Sequence, residues 1–363
     1  MMRNAEVWKA IARLAAPDTG ERCTSLLATV VQVDGSAYRK AGAMMLLRED
    51  GARVGMISGG CLEQDLVQRA REVLMQGISR TVDYDMRSPE EEAPWGVGAG
   101  CNGSIRILLE PLEVEFLAHL RRVKRLLDRG VSVTSVRQLE GERGLARYLF
   151  VPHEGHPSFG KWEGSLSGYA MNRLAEFCDT EIFIRTFRPK PRLILIGGGE
   201  DARPLAAFAA HAGFAVHVAD WRPGDGSPAH FPDARIWLHR FPGEIQQRLQ
   251  LSEEDSVVLM THRYDYDQSL LPWLLGKPLR YLGILGPRRR TSGLLGGLGL
   301  ALPEWAHSPA GLAIGAEGPE QIAVSILAEV IQSLHESQRT YASYETNYRA
   351  LFGGGTQLPH GQG

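Results

Sequence analysis

Cysteine is scarce. Only Cys23, Cys61, Cys101 and Cys178 occur in 363 residues, and no two of them form a C-x-x-C pair. That spread excludes a disulfide scaffold and a structural zinc ribbon, which both need clustered cysteines. An excess of charge of one sign is also missing: 40 Lys and Arg face 42 Asp and Glu, a formal net charge of −2. A nucleic-acid partner calls for a basic face, so none is expected. No run approaches roughly 20 uninterrupted apolar residues, so no membrane span is expected. The opening stretch MMRNAEVWKAIARLAAP lacks a secretory pattern. Val7, Ile11 and Leu14 recur there at helical spacing among charged residues, and the chain reads as cytoplasmic. No internal repeat is visible.

What is present is an ordinary globular composition, 44% hydrophobic and 23% charged, on a chain too long for one hydrophobic core. The pattern predicts strands at 25–33, 43–47 and 53–58, a helix over 62–75, and strands at 81–84 and 104–110. A helix over 113–129, a strand pair at 131–137 and 146–151, and a loop over 153–164 follow. Arg188-Pro189-Lys190-Pro191 reads as a linker, because prolines stop any element. Beyond it strands at 193–196, 215–219, 256–260 and 281–285 are interleaved with helices at 202–212 and 319–333. Such alternation implies a parallel sheet with helices on both faces. The expected architecture is α/β: a C-terminal Rossmann-like, doubly wound parallel sheet plus a smaller N-terminal α+β domain. Its boundaries fall at 1–112, a middle α/β segment and linker at 113–190, the Rossmann-like domain at 191–350, and a disordered tail at 351–363.

Two of the cysteines sit in glycine-rich turns, Cys61 in SGGCLE with Gly59 and Gly60, and Cys101 in GVGAGCNG with Gly100. Glycine lets the main chain curl around a ligand and expose amide N–H groups. A thiolate held there is both a nucleophile and a soft-metal ligand. Cys61 lies at a strand-to-helix transition, where the amide N–H groups and macrodipole favour an anion. The other two cysteines read as packing residues. Gly35–Gly42 brackets a polar loop that carries Arg39 and Lys40, either an anion cradle or a surface hairpin. His153 and His156 form an H-x-x-H with no third ligand nearby.

In the second half, LILIGGGEDA follows the order of a dinucleotide fingerprint. Gly197 allows the tight turn, Gly199 the close approach of a pyrophosphate, and Ala202 close helix–strand packing. Asp220 ends the next strand, where an acidic side chain meets ribose hydroxyls. Glu200 and Asp201 put two negative charges beside the phosphate position, which counts against tight NAD binding. His262, in MTHRYD at a strand end, is either a proton shuttle and phosphate contact or a hydrogen-bonded turn residue. The arginines of GPRRR (288–290) suit a phosphate or a solvated turn.

Taken in order, GSAYRKAGAMMLLREDG (35–51), VGMISGGCLEQDL (54–66), GAGCNGSIRILLEPL (98–112) and LILIGGGEDARPLAAFAAHAGFAVHVAD (193–220) resemble the XdhC/CoxI family. VLMTHRYDYD (258–267), YLGILGPRRR (281–290) and IGAEGPEQIAVSILAEVI (314–331) extend the resemblance. The family comprises accessory factors of xanthine dehydrogenase and related molybdenum hydroxylases. The resemblance implies a chaperone rather than a turnover enzyme. It would bind molybdenum cofactor, present it to a cysteine desulfurase for sulfuration, and hand it to an apo molybdenum hydroxylase of the xanthine dehydrogenase type. Cys61 and Cys101 match the family pattern and would serve as thiolate donors to molybdenum. Gly59, Gly60, Gly100, Arg39, Gly197, Gly199, Asp220 and His262 complete the expected cofactor-binding set, and a homodimer is expected. The chain carries Glu200 where the family fingerprint often has histidine. Two other readings stay open: an NAD(P)-dependent oxidoreductase using the Rossmann-like domain, and a redox regulator in which the two loop cysteines pair.

Overall fold

The computed structural model describes residues 4–15, 24–60, 62–86, 103–139, 147–162, 174–177, 180–222, 225–238, 242–303 and 305–352. Its contacts divide the chain into two compact units, Met1–Lys190 and Pro191–Gly363. The first opens with helix α1 (Ala5–Arg13), strands β1 (Ser25–Gly35), β2 (Met44–Arg48) and β3 (Arg53–Gly55), and helix α2 (Glu63–Gln76). Strands β4 (Arg80–Asp85) and β5 (Gly103–Pro111) and helix α3 (Val114–Asp128) follow. Strands β6 (Val133–Gln138), β7 (Tyr148–Pro152), β8 (Phe159–Lys161), β9 (Leu174–Phe177) and β10 (Thr180–Phe187) complete it.

Two antiparallel sheets result, in the orders β3-β2-β1-β5-β4 and β8-β7-β6-β10-β9. The period of two along a strand explains why β1 and β2 read as unbroken apolar runs. Leu26, Ala28, Val30, Met45 and Leu47 face one core with α2, whereas Leu27, Met44 and Leu46 face another with α1 and α3. That second core also takes Val133, Tyr148, Phe150, Phe159 and Phe187 from the other sheet, so α1 and α3 share one core with both. A buried ion pair joins the sheets directly. Arg137 Nη1 of β6 donates to both carboxylate oxygens of Glu110 of β5 at 2.7 Å, and the two side chains are 6% and 1% exposed. Arg137 Nε is satisfied by Ser135 Oγ at 2.8 Å, and its plane lies over Phe116 and Phe150.

The second unit runs β11 (Arg192–Ile196), α4 (Ala202–His211), β12 (Ala215–Asp220), β13 (Ala234–Leu238), α5 (Pro242–Arg248) and β14 (Ser256–Leu259). It ends with α6 (Tyr264–Leu275), β15 (Tyr281–Ile284), α7 (Arg288–Leu298), β16 (Ala306–His307) and α8 (Gly318–Phe352). All strands of its six-stranded sheet are parallel, in the order β13-β12-β11-β14-β15-β16. This is the doubly wound Rossmann order, whose ligands sit outside the carboxyl ends of the strands. Helices α5, α6 and α7 cover one face through a core of Ile194, Ile196, Ile245, Leu259, Leu270 and Leu294, while α4 packs on β11, β12 and α8.

The elements depart from the sequence pattern at several places. The stretch expected as a loop over 153–164 contains β8, which pairs antiparallel with β7. The last helix continues beyond 333 to Phe352. Strands β9, β10, β13 and β16 and helices α5, α6 and α7 are additions to the expected elements. The expected disordered tail lies, from residue 353 on, outside the described residues.

The buried ion pair and a half-buried histidine each yield a measurable expectation. Removing one partner of a buried ion pair strands the other charge, so Glu110→Ala or Arg137→Ala should cost about 3–5 kcal/mol in urea unfolding. Glu110→Leu combined with Arg137→Met should recover most of that loss. Single variants within about 0.5 kcal/mol of the parent would show that the pair is dispensable. The histidine is His217 of β12. Burial first, then the charges of Arg192 and Arg235, push its imidazole down to about 4, with Asp255 opposing. An unfolded histidine titrates near 6.5. Between these values the unfolded chain binds more protons, so this contribution is complete above about 6.5 and is lost as pH falls toward 4, at no more than ~1.4 kcal/mol per unit. Urea midpoints of His217→Gln should show a shallower acid slope than the parent, and identical slopes would count against it.

Candidate functional site

In the first unit three stretches meet at one end of the first sheet. Strand β1 ends at Gly35, opposite Gly103 at the start of β5. A Cβ on Gly103 would stand 2.4 Å from the carbonyl oxygen of Asp34 and 2.8 Å from Ser36 N, so only glycine admits that approach. The loop leaving β1 then carries Tyr38, 60% exposed, whose ring lies 3.8 Å from where a Cβ on Gly59 would be. Arg39 is half-buried in the same loop. The loop returns at Gly42, whose carbonyl accepts from Asn4 Nδ2 at 3.0 Å and from the Arg185 guanidinium. Buried Asn4 also accepts the Met44 N–H at 3.0 Å.

The turn before Cys61 is braced by Ser58 and Glu63, both 4% exposed. The Ser58 hydroxyl donates to Glu63 Oε2 and accepts the N–H groups of Gly60 and Leu62 at 3.2 Å, which uses its one proton and both lone pairs. The Ser58 N–H donates to Glu63 Oε1 at 2.9 Å. Burial alone would raise the Glu63 carboxyl, but hydrogen bonds from the Ser58 side chain and backbone, with Arg53 nearby, hold it below its ordinary value. Gly59 and Gly60 stay exposed, and a Cβ on Gly60 would meet nothing within 4 Å among the described residues. Gly59, Gly60, Arg39 and Gly103 are thus gathered around the 35–42 loop. Cys61, Gly100 and Cys101 lie outside the described residues.

The second unit places its motif residues at the carboxyl edge of the parallel sheet. Gly197 has φ 119°, and a Cβ there would stand 2.2 Å from the carbonyl oxygen of Met260. The Gly198 N–H donates to Asp220 Oδ2 at 2.5 Å. Asp220 is fully buried, and Arg222 supplies its other contacts: the backbone N–H at 2.7 Å, Nε at 3.0 Å and Nη2 at 2.9 Å. Burial works to raise this carboxyl, yet the Arg222 side chain and the Gly198 and Arg222 amides keep it depressed. Both oxygens of Asp220 therefore face protein donors. Gly199 is open: a Cβ on it would be 3.8 Å from Arg222 Nη2 and 3.9 Å from His262 Cδ2. His262 takes a left-handed φ of 58°, rare for a residue with a side chain, and its Nε2 stands 3.1 Å from Asp201 Oδ2.

Charge at this edge is internally paired. Glu200 pairs with Arg203 at 2.8 Å and Arg222 also reaches Asp225 at 2.6 Å. Of the three arginines in GPRRR, Arg290 is drawn to buried Asp267 at 2.6 Å while Arg288 and Arg289 are exposed. In the first unit His153 Nε2 lies 3.0 Å from Thr134 Oγ1. Among the described residues, no cluster of three or more His, Cys, Asp or Glu is placed to hold a metal ion. The sequence pattern passes over Tyr38, Ser58 and Arg222. The S-x-x-x-x-E spacing at 58–63 and the D-W-R triplet at 220–222 are their only local traces.

The two outer glycines of the loop should behave oppositely on substitution. Gly197→Ala meets backbone at once and forces a positive φ on alanine, a loss of about 2–5 kcal/mol. Gly199→Ala should stay within about 0.5 kcal/mol of the parent. Thermal and urea unfolding of both variants check this; equal losses would contradict the packing described.

Comparison with known proteins follows the same division. Residues 20–85 match the family described as "XdhC and CoxI family", residues 114–188 that described as "BH1974-like, central domain", and residues 193–330 that described as "XdhC Rossmann domain". The chain is 44% identical over 315 residues to a probable subunit of xanthine dehydrogenase from Bacillus subtilis, covering 85% of this chain and 93% of that protein. It is 26% identical over 323 residues to the "Molybdenum cofactor insertion chaperone PaoD" of Escherichia coli, with 86% and 85% covered. A crystal structure described as a xanthine dehydrogenase from Bacillus halodurans superposes with a TM-score of 0.79 at 39% identity, over 91% of this chain and 95% of that one. A matching fold, matching segments in both units and this identity over most of the length lead to one conclusion: the chain belongs to the XdhC and CoxI family.

Proposed function

We propose that this protein is a carrier for molybdenum cofactor that delivers it to a molybdenum hydroxylase of the xanthine dehydrogenase type. The observation that carries the reading is the gathering of Gly59, Gly60 and Gly103 around one loop. These residues stand two positions or fewer from Cys61 and Cys101 in the chain. Gly59 and Gly60 form a rim of exposed backbone, with nothing among the described residues within 4 Å of a Cβ on Gly60, which suits a bulky cargo that must enter and leave. Molybdenum is soft enough to take thiolate donors, and Cys61 and Cys101 are the thiols that adjoin these glycines in the chain. Arg39 supplies a cation for the cargo's phosphate. The relative named as a molybdenum cofactor insertion chaperone supports the same reading.

On this proposal the protein exchanges cargo with two partners, a cysteine desulfurase that adds the terminal sulfur and the apo hydroxylase that receives it. A symmetric dimer is the expected assembly. The oxidoreductase alternative gains nothing from the second unit: Asp220 already has both oxygens engaged, and acidic Glu200, Asp201 and Asp225 flank the Gly199 loop.

The test is cargo retention. Protein purified anaerobically from a molybdenum-replete host should carry molybdenum and pterin, measured by elemental analysis and by fluorescence of the oxidised pterin. Cys61→Ala and Cys101→Ala should each lower both together while leaving the thermal midpoint unchanged. Full loading of the double variant would overturn the role of the thiols. Bound nicotinamide in place of pterin would overturn the reading itself.

A further inference from the structure

The first unit holds a second concentration of chemistry, remote in sequence from both cysteine loops. A cavity of about 260 Å³ is lined by Arg122, Arg125, Leu126 and Arg129 of the α3 region together with His156 from the β7–β8 connection. Arg122, Arg125 and Arg129 fall at i, i+3 and i+7, so they share one helix face. Arg122 is held in place by Phe159, its guanidinium carbon 4.0 Å from the ring centroid. Arg125, Arg129 and His156 are exposed, and Leu126 gives the cavity an apolar wall.

The neighbouring carboxylates do not neutralise these arginines. Glu113 and Glu115 both go to Lys161, at 3.3 and 3.2 Å, and Asp128 goes to Lys124. Arg121 turns the other way, to the carbonyls of Ile11 and Leu14. Among the described residues, no carboxylate pairs with Arg122, Arg125 or Arg129. Like charges at these spacings repel, and the carboxyl end of α3 offsets only part of that. The dipole also gives no reason for a histidine from another element to converge on the same cavity. His119, on the neighbouring face of α3, feels the same field: burial first, then Arg122 and Lys161, lower its pKa against Glu115.

We propose that this cavity binds the phosphate or pyrophosphate group of a small ligand. Guanidinium forks match tetrahedral oxyanions with paired N–H donors, and three of them with an imidazole surround such a group from several sides. The size argues for a small oxyanion rather than a large organic molecule, whose pockets run to about 300–1,000 Å³. Concavity argues against a flat acidic protein surface, which needs no cavity.

Calorimetry on the full chain at low ionic strength, with inorganic pyrophosphate as the probe, tests the site. Saturable binding with one site per chain is expected, weakening steeply as salt rises. Arg125→Gln with Arg129→Gln should weaken it at least tenfold at an unchanged thermal midpoint, and His156→Asn should weaken it less. Arg288→Gln with Arg289→Gln, in the second unit, should leave it unchanged. No saturable binding, binding untouched by the first pair, or binding lost with the second pair would each overturn the proposal. So would saturable binding of a hexaglutamate peptide in the absence of pyrophosphate binding, which would assign the face to an acidic protein segment.

Discussion

One buried carboxylate sets the geometry of the second unit. Asp220 sits at the end of β12 with no exposed surface and takes a hydrogen bond from Gly198 on one side and the whole fork of Arg222 on the other. A buried carboxylate is tolerated only when paired and hydrogen-bonded, and here both conditions are met by the loop it supports. The Gly198 peptide is thereby fixed, which fixes Gly197 against Met260 and leaves Gly199 facing Arg222 and His262. Losing the carboxylate would remove the one side-chain anchor of the Gly198 amide and return conformational freedom to a glycine-rich loop. The acid that a nucleotide-binding unit offers to a ribose is engaged here by the protein's own amide and guanidinium.

The first unit solves a different problem, that of covering both faces of a five-stranded sheet. Alternate residues of β1 and β2 feed separate cores, and the second sheet is reached through the core containing α1 and α3 and through the Glu110–Arg137 pair. Such a pair adds little net stability compared with apolar side chains of similar size, but Arg137, held by Glu110 through Nη1 and by Ser135 through Nε, fixes how β5 stands against β6. Loops at the end of a sheet held this firmly can be bare and exposed without the sheet losing its register. The serine and glutamate beneath Gly60 extend the same principle locally: the amides of Gly60 and Leu62 are satisfied inward, so the turn keeps its shape while its outer surface stays open.

The fold is most legible in the sequence where one physical rule dominates. The apolar runs at 25–33 and 193–196, short and closed by glycine-bearing turns, read as buried strands, and α2 announces itself by apolar residues on one face. Helix α7 is not readable, because RRRTSGLLGGL contains three glycines and buries only Thr291, Leu294 and Leu295, leaving neither propensity nor periodicity. Helix α6 carries Pro272, a residue that argues against a helix interior yet is accepted here near its end. In the candidate sites Gly197 and Gly59 are visible as glycines between a strand and a helix. The partnership of Asp201 with His262 is not, because it joins residues about sixty positions apart. Arg122, Arg125 and Arg129 carry no signal in the sequence beyond the expected helix, and only the arrival of His156 makes them a cavity.

A resident cofactor and a cargo make opposite demands on a site. A resident group is best enclosed, since every contact that slows its escape is useful. Cargo has to be released to a partner whose own site must reach it, so part of the holding surface has to stay accessible. The rim formed by Gly59, Gly60 and Tyr38 has the second character: exposed glycines, an exposed aromatic ring and, among the described residues, nothing within 4 Å of a Cβ on Gly60. Rigid support below and bare backbone above also limit the ordering cost at each transfer, because little of the loop remains to be fixed when cargo arrives. On the proposed reading, Ser58 and Glu63 matter as much as the cysteines they adjoin, since they hold the rim in shape while it is empty.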